Sequence, residues 1–107
     1  MGDYTAPLMA AVEPSNISPE ILESLQVAPN PVQEQAKIYF RMKTNAQVLL
    51  EMYNFKGQAV SVLYNGLATG NRNYEVTFDR SGLPPGIYIC KLSTADGRSF
   101  ERIVLAK

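Results

Sequence analysis

The chain has no histidine, no tryptophan, one cysteine and no excess of charge of either sign. Each absence excludes something. Without histidine the commonest general base and metal ligand is gone, and with it most schemes for activating a nucleophile. Cys90 has no second cysteine for a disulfide and no histidine for a Cys-His pair. It sits mid-strand among apolar residues and reads as a small buried hydrophobe. The acids are scattered, with no Asp-x-Asp-x-Asp cluster for calcium. "GLATGN" (66–71) lacks the Gly-Lys-Ser/Thr ending of a phosphate loop and lies between strands. No catalytic, metal or cofactor site is therefore expected. A net charge of zero argues against a nucleic-acid partner, which needs a cationic surface. No apolar run approaches the ~20 residues of a membrane-spanning helix. "MGDYTAPLMAAV" has no basic leader and is interrupted by Pro7, so it is not a signal peptide. The expectation is either a cytoplasmic protein or a piece of a longer precursor.

What is present describes one small globular domain. A length of 107 residues suffices for a single core, and 46% hydrophobic with 19% charged residues is ordinary for a folded chain. The charges are unevenly spread. Residues 1–35 carry five acids (Asp3, Glu13, Glu20, Glu23, Glu34) and no base; the rest carries ten bases and five acids, so the two parts sum to −5 and +5. The first 24 residues mix Pro, Ala and Ser without strand or helix period and read as an acidic linker or extended arm. Within them and just beyond, "SPEILESL" (18–25) suits one or two helical turns, with Ser18 as N-cap, Pro19 at the first helical position and Glu20 in the first turn.

From residue 25 to 107 the pattern is β. "LQVAPNP" is a strand stopped by Pro29-Asn30-Pro31, since neither proline can donate to a ladder. "AKIYFRM" alternates, with Ile38, Phe40 and Met42 on one face. "AQVLLEMYN" points Val48, Leu50 and Met52 inward. "FKG" turns the chain, with Gly57 in the left-handed position of a hairpin loop. "QAVSVLY" is expected to direct Val60, Val62 and Tyr64 to the core, and "NGLATGN" to form a glycine-rich loop. "NYEVTFD" aligns Tyr74, Val76 and Phe78, and Asp79 caps the following bend by an Asx-turn. "IYICKLST" precedes a two-residue hairpin signal, Asp96-Gly97. "RSFERIVLAK" closes the chain with Phe100 and Val104 on one face and Ile103 and Leu105 on the other. It is either buried on both sides or has a face left for a partner. Seven short strands with turn signals about every 8 to 12 residues predict an all-β, immunoglobulin-like sandwich of antiparallel strands.

Leu83-Pro84-x-Gly86-x-Tyr88 has the form of a tyrosine corner, in which a Tyr hydroxyl bonds back to the upstream backbone and fixes a sheet crossover. A disulfide-bonded immunoglobulin domain would also need a second cysteine and a core tryptophan. A closer resemblance spans Val27 to Lys107. "VAPNP", "VLLEMYNFKGQAV", "DRSGLPPGIYICKL" and "RIVLAK", in that order, resemble the C-terminal sorting domain of type IX secretion cargo, the export route of Bacteroidetes. The resemblance implies a non-enzymatic address at the end of a larger cargo protein. The precursor would reach the periplasm by a signal peptide on another part of its chain. An outer-membrane translocon would then read the domain, and a sortase-like protease would remove it as the cargo is anchored at the cell surface. Carried over, the recognition residues are Leu83, Pro84, Gly86, Tyr88, Ile103, Val104, Leu105 and Lys107, and the arm before Leu25 holds the cleavage region. A retained fibronectin-like structural domain, or one that signals at the envelope, is the alternative. The long arm and terminal strands also allow a strand-exchanged homodimer.

Overall fold

A computed structural model describes Ile17 and residues 20–107. Seven strands account for most of them: β1 (Leu22–Ala28), β2 (Gln35–Met42), β3 (Ala46–Tyr53), β4 (Ala59–Ala68), β5 (Asn73–Asp79), β6 (Gly86–Thr94) and β7 (Gly97–Leu105). They form two antiparallel sheets, one ordered β1-β2-β5 and the other β4-β3-β6-β7. No helix is present among the described residues. The alternation expected along β2, β3 and β5 holds. Ile38, Phe40, Met42, Val48, Leu50 and Met52 are each at most 1% exposed. Their burial from both sheets into one cluster with Phe78, Tyr88, Cys90, Leu92, Ile103 and Leu105 makes the sandwich core.

Four local expectations are corrected. The helical turns expected over 18–25 give way to a turn at Glu20–Ile21 and a strand from Leu22, while Ser18 and Pro19 lie outside the described residues. A two-turn helix nucleates poorly, whereas β1 gains a ladder along β2 from Leu22↔Met42 to Ala28↔Lys37. In β4, Val62 is not a core residue but 60% exposed. The register against β3 shifts twice, from Leu50↔Tyr64 to Glu51↔Val62 and from Met52↔Ser61 to Tyr53↔Ala59. Each bulge inserts one residue and reverses the facing of its neighbours along the strand, so Leu63 packs on the core in place of Val62, while Val60 and Tyr64 pack on it as expected. The strand also continues through Asn65–Ala68, leaving a shorter loop than the glycines suggested. At the β6–β7 hairpin, Thr94 pairs with Gly97, so Ala95 and Asp96 are the two turn residues.

Gly57 does occupy the left-handed region expected of it, at φ 83°. Asn54 completes that turn, its Oδ1 accepting from the backbone N–H groups of Lys56 and Gln58. Cys90 lies at the centre of β6 with no exposed surface, and burial pushes its thiol up to about 12, with the charge of Glu101 adding to the effect. We expect thiol reagents at pH 8 to leave the native protein unmodified and to label it fully in guanidinium, as read by intact mass. Native labelling at the denatured rate would contradict this burial.

Candidate functional site

The expected recognition residues fall in two sequence segments, 83–88 and 103–107, and the fold brings them together at one end of the four-stranded sheet. The β6–β7 ladder pairs Gly86 with Leu105, Ile87 with Val104 and Tyr88 with Ile103. Because β-strand side chains alternate, the pairing sorts these residues by face. Tyr88, Ile103 and Leu105 are buried in the core, at 4%, 0% and 2% exposure. Pro84, Gly86, Val104 and Lys107 are exposed, and Leu83 is half-buried against the core. The last strand is therefore buried on one side only.

The tyrosine corner forms as expected. Tyr88 donates its hydroxyl to the carbonyl of Pro84 at 2.7 Å, which returns the chain from the crossover into β6. Gly86, which opens β6, sits at φ 145°, a conformation disfavoured for residues with a Cβ. Removing only the hydroxyl, in Tyr88→Phe, is expected to cost about 1 kcal/mol, the net worth of one such bond. A urea titration would show it as a shifted midpoint with an unchanged slope.

The crossover before the corner begins at Asp79. Its Oδ1 accepts from Ser81 N at 2.8 Å and its Oδ2 from the Gln35 side chain at 3.2 Å, and these bonds, the backbone one first, lower the carboxyl's pKa. A depressed carboxylate stabilises the folded state above its unfolded pKa of about 4, and that contribution is lost as pH falls through the folded value.

Two residues that the sequence reading did not single out as site-builders hold the end together. One is Arg80. Its guanidinium donates to the carbonyls of Val32 (3.3 Å), Gln33 (2.8 Å), Ala106 (2.6 Å) and Leu83 (3.3 Å). The other is Asn30, expected only as part of a strand stop. The stop is there, with both Ala28–Pro29 and Asn30–Pro31 in the cis form. The Asn30 side chain also donates to Arg102 O at 2.9 Å and accepts from Val104 N at 3.0 Å, both on the outer edge of β7. Val32, fully buried, continues the cover: its N–H donates to Val104 O at 2.7 Å and its carbonyl accepts from Ala106 N at 2.8 Å. Backbone groups of β7 that an edge strand would leave open are thus satisfied by residues 30–32.

Beside the corner, Phe55, Lys56 and Val60 of the β3–β4 hairpin face Leu83–Ile87 across a shallow depression. Phe55 is 60% exposed.

A family model described as secretion system C-terminal sorting domain matches residues 26–106. Among solved structures, dimeric latent PorU from Porphyromonas gingivalis is similar to this chain with a TM-score of 0.58 and 18% identity, over 77% of this chain and 9% of that one. At that identity the likeness bears on the fold alone, and this chain spans a small part of the PorU chain. No curated protein matches at a significant level.

Proposed function

Because this chain belongs to the family of secretion system C-terminal sorting domains and is a type IX sorting signal, we propose that the end of the sheet carrying Leu83–Tyr88 and Ile103–Lys107 is the surface by which it is read. Type IX sorting domains direct export to the outer membrane or cell surface, and their family is defined by that role, not by catalysis. The observation carrying this proposal is that the open end of the β6–β7 hairpin sets the two segments side by side through the Gly86↔Leu105, Ile87↔Val104 and Tyr88↔Ile103 pairs.

Within that surface the residues divide by role. Tyr88, Ile103 and Leu105 form the buried frame. Pro84, Gly86, Val104 and Lys107 are the groups a partner can touch. That partner is the outer-membrane translocon, followed by a sortase-like protease cutting within the sequence that precedes β1, while the cargo lies on the remainder of a longer precursor that also carries the signal peptide. The sequence before β1 is acidic and rich in Pro, Ala and Ser, a composition that suits a protease substrate.

The test is a fusion of residues 1–107 behind a signal peptide and a reporter, expressed in a type IX-competent host. The expected result is reporter at the cell surface that disappears when the translocon is deleted. Retention in the periplasm would favour a structural domain without an address. Intact-mass measurement of the mature reporter would show whether the domain has been removed.

A further inference from the structure

We propose that Arg80 is the positioning residue of this sorting surface, holding the end of the C-terminal strand in register with the Leu83–Gly86 turn. The inference rests on the sorting reading above. β6 offers the final residues no ladder partner beyond the Leu105↔Gly86 pair. What fixes the peptide groups of Ala106 is its N–H on Val32 O at 2.8 Å and its carbonyl on the Arg80 guanidinium at 2.6 Å. The same guanidinium holds Gln33 O and Leu83 O, so one planar group ties the tail to the strand-stop segment and to the turn before the corner.

Arg80 is itself fixed. Its N–H donates to Glu34 O at 3.0 Å and its carbonyl accepts from Leu83 N at 2.9 Å, while the Asp79 cap orders the next residue. All four acceptors of its side chain are neutral carbonyls, which suits a rigid fork of donors and not a compact ammonium. Lysine at this position keeps the charge but cannot span carbonyls on three segments. Methionine keeps the length and supplies no donor.

The experiment compares the full-chain reporter fusion as wild type, Arg80→Met, Arg80→Lys and Val48→Ala. Val48 is a buried residue of β3 outside this surface and serves as the control for lost stability. One charge-assisted bond on the tail corresponds to roughly a tenfold change in its attached population. We expect about tenfold less surface reporter for Arg80→Met, an intermediate loss for Arg80→Lys and near-wild-type display for Val48→Ala. Hydrogen exchange at the Ala106 amide should accelerate about tenfold in Arg80→Met while β3 amides keep their protection. Wild-type display by both Arg80 variants overturns the proposal, as does a loss that merely follows thermal midpoint across all three variants. If Arg80→Met does not fold, Arg80→Lys decides by the same two readouts. A wild-type fusion held in the periplasm overturns the sorting reading, and this proposal with it.

Discussion

Replacing Leu105 with Asp should unfold the domain, whereas the same change at Val104 should leave it folded. The two residues are adjacent on β7 but lie on opposite faces, 2% and 38% exposed. At position 105 the substitution removes a packed side chain, which costs about 2–5 kcal/mol on truncation alone. It also places a carboxylate in the apolar cluster, where an uncompensated charge costs several kcal/mol more or is forced to stay protonated. A domain of this size has about 5–15 kcal/mol in total, so the sum is enough to abolish it. Val104 contributes its N–H to Asn30 and its carbonyl to Val32 through the backbone, and a new side chain disturbs neither bond. Urea titration followed by circular dichroism should show no folded baseline for Leu105→Asp and a midpoint for Val104→Asp close to wild type. Export separates the roles further. Val104→Asp should lower surface display without loss of stability if the outward row of β7 is read. Normal display of that variant would remove Val104 from the recognition surface.

Phe40→Ala should be the most costly neutral truncation in the core, at about 3–5 kcal/mol. Phe40 is 1% exposed on β2 and stacks on Tyr74 of β5 with ring centroids 4.9 Å apart and planes 7° from parallel. It meets Tyr64 of β4 edge-on at 5.4 Å, and Tyr64 meets Tyr74 in the same manner at 5.6 Å. The triad therefore joins the two sheets where the chain crosses from β4 to β5. Both tyrosines are anchored, Tyr64 donating to Leu67 O at 2.7 Å and Tyr74 accepting from Thr69 N at 2.7 Å. Their rings cannot collapse into the vacated space without breaking these bonds, which places the cost toward the upper part of the range. Phe40→Leu should recover more than half of it, since most of the buried area returns. Thermal unfolding of the two variants would check the order, and equal midpoints for alanine and leucine would show that the ring contacts contribute little.

How much of the fold is legible in the sequence depends on whether an element keeps a regular period. β2, β3 and β5 alternate without interruption, and their inward residues are legible from spacing alone. β4 and β1 carry bulges, at Val60 and Leu63 and at Glu23, and nothing in residue type marks where an extra residue leaves the ladder. Val62 reads as inward by simple alternation and faces outward for that reason. The site divides in the same way. Tyr88 and Gly86 lie in a local motif whose geometry depends on a few neighbouring residues. Arg80 acts on partners 26, 47 and 48 positions away and Asn30 on partners 72 and 74 away, so their roles become visible only when the sheets are assembled. An arginine next to an Asx-turn and an asparagine between two prolines look like solvated turn residues until their acceptors are known.

The cover on β7 by residues 30–32 has a consequence for timing. Asn30 is synthesised more than seventy positions before the backbone groups it satisfies. The surface joining it to Arg80 and Ala106 cannot exist on a chain that stops short of the last strand. A polypeptide truncated within β7 would lack Leu105, and with it the Gly86↔Leu105 pair and part of the buried cluster that frames the corner. The fold therefore completes this end of the sheet only once residues 30–32, Arg80 and the last strand are all present.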